Sequence, residues 1–274
     1  MKKKSKIWTI IYILFFLAGA SLLLYPTLSN YYNSFHSSKS ISQYVQDVSD
    51  LDDSEKEEML IAAKTYNKSL LGKNSRWKMT DKQREVYNSL LDISSTNSGV
   101  MGYIEIPKLD VSIPIYHGTN SEVLQVAVGH MEGSSLPVGG TGTHAVLSGH
   151  RGLPSAKLFT DLDKMEIGDT FKIRVLDEVL AYEVDQILVV LPGEMDALQI
   201  EDDKDLCTLV TCTPYGVNSH RLLVRGHRIE NTEKKLLTIT SEALQIDPKI
   251  VMPFIALPIL LIYIIILVVK SKRK

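Results

Sequence analysis

The sequence predicts a mainly β domain, either a closed barrel or a sandwich, preceded by a helical arm and flanked by two transmembrane helices. Seven short runs with β-type composition, separated by Gly, Pro, Asn and Asp, occupy residues 99–230. Two long apolar runs lie near the two ends of the 274-residue chain. A polar, charged and helix-like region separates the first apolar run from the β-rich part.

The first apolar run, residues 7–25, is predicted to be a transmembrane helix. It follows a basic tail, residues 1–6, that carries four lysines, and about 20 apolar residues are enough to cross a bilayer. Ala18, Gly19 and Ala20 resemble a signal-peptide cleavage site, so a cleaved signal is the alternative. The run continues past these residues, however, whereas the apolar region of a signal usually has ~7–15 residues. An uncleaved anchor is therefore favoured.

The second apolar run, residues 250–269, follows a linker at residues 231–249 and ends in a basic tail at residues 270–274. Prolines interrupt this run twice, which membrane helices tolerate. Each run has its basic residues on the side nearer the chain terminus, and the positive-inside rule places such residues in the cytoplasm. The prediction is a two-pass membrane protein with both termini in the cytoplasm and the intervening domain outside the cell.

Residues 26–98 are predicted to form an extracellular helical arm. One helix is expected to begin at a capping box of Ser54 and Glu57, because a serine followed three residues later by a glutamate satisfies two free backbone N–H groups. A second helix is expected over residues 80–91. A loop containing Gly72 separates the two.

Residues 99–230 are predicted to form the catalytic β domain. Many short strands with few intervening helices are typical of a closed barrel or a sandwich. Short helices are expected at residues 121–128 and 155–163. The predicted strands are residues 102–106, 111–116, 144–148, 170–175, 180–190, 206–212 and 221–225.

Composition narrows the classes of function. Thirty basic and thirty-two acidic residues leave a formal charge of −2, and no long basic stretch interleaved with aromatic residues is present, so no nucleic-acid partner is predicted. No close set of Asp, Glu and His at ligand spacing occurs, so neither a metal nor another cofactor is expected.

Cys207 and Cys212 are the two cysteines of the chain. On one strand they point to opposite faces and lie roughly 16 Å apart, whereas a disulfide needs Cα atoms within ~7 Å. Both thiols are therefore predicted to be free. Cys212 ends a strand and precedes the turn Thr213–Gly216, which would expose a nucleophilic thiol. A buried core cysteine is an equally open alternative from this local sequence.

His150 and Arg221 are the candidate partners of Cys212. His150 follows an apolar strand and precedes a Gly/Pro turn, a position that holds a side chain firmly yet leaves it accessible; a surface histidine without a role is the alternative. Arg221 and Arg225 share one strand face. They form either a solvated basic stripe or a group aimed at the cysteine, where an arginine would stabilise a thiolate and donate to a carbonyl oxygen.

Several motifs, taken in order, resemble those of the sortase family over about residues 99–229. The form Cys-Thr-Pro-Tyr and the second membrane span resemble the class C branch, which assembles pili in Gram-positive bacteria. The matching strings are MGYIEIP (101–107), LPVGG (136–140), the histidine segment SGHRG (148–152), TLVTCT (208–213) and NSHRLLVRG (218–226).

The resemblance implies a mostly β-barrel fold in which Cys212 attacks the Thr–Gly bond of an LPXTG-like sorting signal and forms a thioacyl enzyme. A lysine amine of another pilin then resolves it. His150 is expected to protonate the leaving amine and Arg221 to contact the substrate carbonyl. Arg225 has no matching position in the family and is expected to be structural. The implied partners are pilins and surface proteins that carry sorting signals.

Class C members usually carry an Asp-Pro-aromatic lid before the barrel, and the corresponding stretch here is Ser75-Arg76-Trp77. Trp77 is the candidate residue for covering the thiol, but the acidic partner for the arginine is absent. Three alternatives to pilin polymerisation stay open at this point. They are attachment of surface proteins to peptidoglycan, hydrolysis of wall peptides by a Cys-His peptidase, and a non-catalytic adhesin or scaffold with an inert cysteine.

Overall fold

The computed structural model describes residues 2–73, 76–93 and 99–230, apart from the side chains of residues 2–7 and 10. The predicted linker at residues 231–249, the second predicted span at residues 250–269 and the basic tail at residues 270–274 lie outside the described residues.

The first element is a single helix of 49 residues, α1 (Lys2–Asp50). In the described part of the chain it is the one helix long and apolar enough to cross a membrane. It runs without a break through the predicted boundary at residue 25 and contains Pro26. The large apolar side chains of its first half, such as Phe15, Leu22 and Leu23, are exposed. The first half of α1 therefore fits a membrane anchor.

Two shorter helices follow, α2 (Asp53–Leu70) and α3 (Asp81–Ser89). The predicted capping box of α2 at Ser54 and Glu57 is wrong. The Asp52 carboxylate accepts from the Glu55 backbone N–H at 2.8 Å, and the Glu55 carboxylate accepts from the Asp52 N–H at 2.9 Å. Asp is as effective a cap as Ser, so the earlier Asp52 starts the helix and Ser54 falls inside its first turn.

Each helix sends one buried polar side chain into the β domain. The Tyr44 hydroxyl of α1 donates to Met101 O at 3.1 Å. The Asn67 amide of α2 donates to Leu136 O at 3.0 Å and accepts from the Leu136 N–H at 2.7 Å. Tyr87 of α3 is fully buried. These contacts attach the helices to the barrel at three separate places.

The β domain is a closed barrel of eight strands in the order β1-β2-β3-β4-β7-β8-β6-β5. The β2–β3 and β4–β7 pairs are parallel, and the other pairs are antiparallel. The closed barrel predicted from the sequence is confirmed, and the sandwich alternative is wrong. The strands are β1 (Val100–Ile106), β2 (Val111–His117), β3 (Val128–His130), β4 (Thr143–Ser148), β5 (Thr170–Val175), β6 (Glu178–Val190), β7 (Asp205–Thr213) and β8 (His220–Ile229).

All seven predicted strands are present, but the short helices between them differ from the prediction. The helix expected at residues 121–128 is a single turn, α4 (Ser121–Leu124), because Val128 begins the unpredicted strand β3. The helix expected at residues 155–163 is wrong. Leu158 adopts a φ of 37°, which a right-handed helix does not allow, and the segment forms turns that end in a 3₁₀ turn at Leu162–Lys164.

Alternation along β4, β7 and β8 sends side chains to two separate apolar clusters. Leu147, Leu209 and Val224 fill the barrel interior. Their neighbours Val146, Val210 and Leu223 form a smaller cluster on the opposite face of the sheet, together with Leu198 from the β6–β7 loop. We call this smaller set the outer cluster. Cys212 has the same parity as Val210, so it belongs to the outer face.

Candidate active site

The two cysteines have different environments. Both thiols are free, as predicted. Cys207 is fully buried in the barrel interior, and burial, with a further contribution from Asp205, raises the pKa of its thiol well above the ordinary value. A neutral, inaccessible thiol is a poor nucleophile. Cys212 is half-buried near the end of β7, so it is the cysteine that a substrate can reach.

Arg221 lies directly opposite Cys212 in the antiparallel β7–β8 ladder. Residues in such a pair share a face, with Cβ atoms ~4.5–5.5 Å apart. Nη1 of Arg221 donates to Asn218 O at 3.3 Å and to His220 O at 3.1 Å, which tethers the guanidinium to the β7–β8 turn. Within the described residues no carboxylate forms an ion pair with it, so its remaining N–H groups are available to a carbonyl oxygen.

Arg225 lies on the same face of β8 as Leu223, two positions further along the strand, and its guanidinium binds two carboxylates. Its Nε and Nη2 atoms bind the two Asp185 carboxylate oxygens at 2.9 and 3.0 Å, and Nη1 binds Glu201 at 3.2 Å. These bonds occupy three of the donors of the guanidinium. The arrangement is in keeping with the structural role expected for Arg225.

His150 follows β4, which pairs in parallel with β7 up to the partners Ser148 and Val210. The two chains stay together beyond that pair: the Gly149 N–H donates to Val210 O at 3.0 Å, and Thr211 Oγ1 donates to Gly149 O at 2.7 Å. This continued register brings the backbone of His150 level with that of Cys212. The predicted histidine, cysteine and arginine therefore come from three neighbouring strands at one end of the barrel.

Trp77 packs on the same outer face as Cys212. Its half-buried ring contacts the outer cluster, in which Val210 and Leu223 are the cross-strand pair next to Cys212 and Arg221 on that face. The guanidinium of the buried Arg76 lies 4.6 Å from the Trp77 ring centroid, and its Nη2 donates to Leu198 O at 2.7 Å. Arg76 thus helps to hold Trp77 on this face.

His130 and His144, two other histidines of the β domain, are buried and fully hydrogen-bonded. His130 bonds the Tyr87 hydroxyl through Nδ1 and Ser135 O through Nε2, both at 2.8 Å. His144 bonds Gln199 O through Nδ1 at 2.8 Å and Thr208 Oγ1 through Nε2 at 2.7 Å. Burial lowers the pKa of each imidazole to about 4. They are structural groups, so of the two histidines on or just after β4, His150 is the accessible one.

Arg151 was missed by the sequence reasoning, although it follows His150 directly. Its Nη1 donates to Thr213 Oγ1 at 3.3 Å, and its guanidinium also forms an ion pair with Asp163. The adjacency to His150 was the available signal, but the contact with the strand end after Cys212 depends on how two distant loops fold together.

Comparison with known proteins gives consistent results. A family model described as the sortase domain matches residues 104–229. The crystal structure of sortase C1 from Streptococcus agalactiae is 51% identical, covers 70% of this chain and 99% of that chain, and superposes with a TM-score of 0.67. The crystal structure of Streptococcus pneumoniae sortase C, described as informative on catalysis and pilin substrate specificity, is 45% identical, covers 71% and 98% of the two chains and has a TM-score of 0.64. Sortase A of Bacillus anthracis is 25% identical over 232 residues, which are 85% of this chain and 99% of that protein.

Proposed function

The chain belongs to the sortase family of cysteine transpeptidases, and on that premise we propose that it polymerises pilins. It cleaves an LPXTG-like sorting signal between Thr and Gly and transfers the acyl group to a lysine amine of a pilin subunit. The observation that carries the proposal is the meeting of Cys212, Arg221 and the backbone of His150 on three neighbouring strands. Likeness to class C sortases, one described for its pilin substrate specificity, supports the choice of acceptor.

In the first half-reaction the Cys212 thiolate attacks the threonine carbonyl carbon, and a C–S bond forms. Negative charge develops on the carbonyl oxygen, which accepts hydrogen bonds from the free N–H groups of Arg221. The C–N bond to glycine then breaks while the His150 imidazolium gives its proton to the leaving nitrogen. The products are a thioester on Cys212 and a free glycine amine.

In the second half-reaction the neutral lysine amine of another pilin attacks the thioester carbonyl. A new amide bond forms, the C–S bond breaks, and the amine proton passes to His150. Cys212 returns as a thiolate and His150 as an imidazolium, so the pair is ready for another cycle. One amide bond replaces another, and no cofactor takes part.

Trp77 acts as the cover of this site. Its half-buried ring packs against the outer cluster, in which Val210 and Leu223 are the cross-strand pair before Cys212 and Arg221 on the same face. An extended sorting signal must cross this face for its carbonyl to meet both residues. The signal therefore binds only after Trp77 moves. Because Arg76 anchors the segment to the β6–β7 loop instead of to Arg221, opening leaves Arg221 undisturbed.

Membrane attachment places the site where its substrates are. The apolar first half of α1 anchors the chain with its basic tail in the cytoplasm. The predicted arm at residues 26–98 and the catalytic barrel at residues 99–230 then lie outside the cell. The predicted span at residues 250–269 makes the protein two-pass.

The test uses the full chain in nanodiscs with an LPXTG-type donor peptide and two acceptors, a pilin subunit and a peptidoglycan stem peptide. We expect a covalent product with the pilin, joined through a lysine, and none with Cys212→Ala. A product formed with the stem peptide alone would replace pilin polymerisation by wall anchoring. Arg221→Ala with full hydrolytic activity would indicate a Cys-His wall peptidase.

A further inference from the structure

Arg151 bridges the segment that follows His150 and the segment that follows Cys212. Its Nη1 donates to Thr213 Oγ1 at 3.3 Å, one residue after the cysteine. Its Nη2 binds the Asp163 carboxylate in the β4–β5 loop. Its guanidinium carbon lies 5.8 Å from the ring centroid of Tyr215, within the usual range for a cation–π contact. One side chain therefore touches both strand ends of the site.

The same two segments also touch through Gly152 and Tyr215. Gly152 has a φ of 75°, and a Cβ at this position would lie 2.8 Å from the Tyr215 ring. The Gly152 N–H donates to Thr160 Oγ1 at 3.1 Å, which fixes the turn after His150. Arg151 thus sits at the centre of a contact between the two loops that carry the reacting groups.

Arg151 is poorly suited to a purely stabilising role. Its side chain is only 9% exposed, and its Nε is buried without a hydrogen-bond partner in the described part of the chain. A buried N–H group without a partner destabilises a fold. Its ion-pair partner Asp163 is 45% exposed, so water screens the pair and can solvate the carboxylate if the arginine is removed. Removing the guanidinium should therefore change the free energy of unfolding little.

We propose that Arg151 is a positioning residue that fixes His150 relative to Cys212. It acts through the backbone of its neighbour His150 and through Thr213, and it contacts no reacting atom. Without this bridge the two strand ends separate or rotate, and proton transfer from the imidazolium to the leaving amine loses its geometry. Because a displacement of ~1 Å can slow a reaction about 100-fold, the expected effect is on the rate of acylation and not on substrate binding. The inference rests on the proposed reaction at Cys212.

The test compares Arg151→Met in the full chain with a matched variant, Arg174→Met. Arg174 on β5 also forms an ion pair, with Glu105 at 3.0 Å, and its side chain is 20% exposed. We expect Arg151→Met to lower kcat for acylation by an LPXTG-type peptide about 10- to 100-fold with KM changed less than about threefold. Arg151→Lys, which keeps the charge but not the planar fork, should recover part of the loss. Arg174→Met should keep wild-type kcat.

A second readout is the rate at which iodoacetamide alkylates Cys212, which needs no sorting signal. Arg151→Met should slow alkylation, because an imidazolium displaced from Cys212 stabilises the thiolate less, while the melting temperature stays within about 3 °C of wild type. Wild-type kcat and alkylation in Arg151→Met would overturn the inference, and so would losses that merely follow a smaller folded fraction. A wild-type protein that is alkylated at Cys212 but never acylated would overturn the proposed function instead, while the response of alkylation to Arg151→Met would still decide the positioning role.

Discussion

Cys212 on β7 and Arg221 on β8 are direct cross-strand partners at the end of the barrel where β4 also ends. In an antiparallel ladder two such side chains stand on one face and at a fixed spacing. The proposed nucleophile and the proposed donor to the developing oxyanion are therefore positioned by backbone pairing, and Arg221 is further held by two carbonyl groups of its own turn.

Arg221→Ala should lower kcat for acylation about 100- to 1,000-fold, since it removes a charged donor to the oxyanion. The measurement is the rate of thioacyl-enzyme formation. Arg225→Met is the matched control, because Arg225 lies on the same strand and binds Asp185 and Glu201. It should lower the melting temperature and leave kcat per folded molecule unchanged. A larger loss of kcat in Arg225→Met than in Arg221→Ala would exchange the two roles.

Trp77→Ala should expose the site. With the ring removed from the outer cluster, iodoacetamide should alkylate Cys212 several-fold faster than in wild type, and lost packing should lower the free energy of unfolding by about 1–2 kcal/mol. Trp8→Ala, which changes the other tryptophan on the exposed first half of α1, should leave the alkylation rate unchanged. Equal alkylation rates in all three proteins would show that Trp77 does not cover the thiol.

The buried histidines should make stability fall in mild acid. An unfolded histidine has a pKa of about 6.5, whereas burial lowers the pKa of His130 and His144 to about 4. Well above pH 6.5 both imidazoles are neutral in the folded and the unfolded state, so their protonation does not lower the stability of the fold. Between pH 6.5 and 4 the unfolded chain takes up protons that the native state does not, which destabilises the fold by on the order of 2–3 kcal/mol per histidine.

The measurement for this prediction is the melting temperature from pH 7.5 to 4.5. His144→Gln should flatten the decline, because it removes one of the two buried groups, although the loss of its hydrogen bonds lowers stability at every pH. His36→Gln on the exposed surface of α1 should keep the wild-type slope. A wild-type melting temperature that is constant from pH 6.5 to 4.5 would contradict the prediction.

Tyr44→Phe should loosen the attachment of α1 to the barrel. The Tyr44 hydroxyl donates to Met101 O at 3.1 Å and accepts from the Leu176 N–H at 2.7 Å. Its removal leaves two buried backbone groups unpaired, at about 1–3 kcal/mol each. Thermal unfolding measures the loss, with Tyr32→Phe at an exposed position of α1 as the control. No difference between the two variants would mean that this contact does not attach the helix.

The strands could be predicted from the sequence because they depend on local patterns, whereas the assignment of Cys212, His150 and Arg221 to the site depended on the resemblance to sortase motifs. Short β-type runs bounded by turn residues mark β4, β7 and β8. The alternation of side chains along an extended strand then separates Cys207 from Cys212 without any knowledge of the tertiary structure. The seven predicted strands differ from the observed ones mainly in length, as with β8, which continues to Ile229. Pairing with neighbouring strands decides those ends, and a single strand does not reveal its neighbours.

Other features depend on contacts between distant parts of the chain. The strand β3 has three residues, too few to show alternation, and its pairing with β2 and β4 makes it a strand. The positive φ of Leu158 breaks the expected helix, and a leucine in the sequence does not indicate such a backbone conformation. The bridge made by Arg151 joins two loops that are about sixty positions apart in sequence, so only the folded barrel shows that Arg151 reaches the strand end beside Cys212.

Mass spectrometry of the full chain after exposure to an LPXTG-type peptide tests the central claim most directly. The account predicts a single thioester adduct on Cys212, with the peptide cleaved after threonine, and no adduct on Cys212→Ala. Cys207 should stay unmodified, because it is fully buried and burial raises the pKa of its thiol. An adduct mapped to Cys207, or one that persists in Cys212→Ala, would contradict the assignment of Cys212 as the nucleophile.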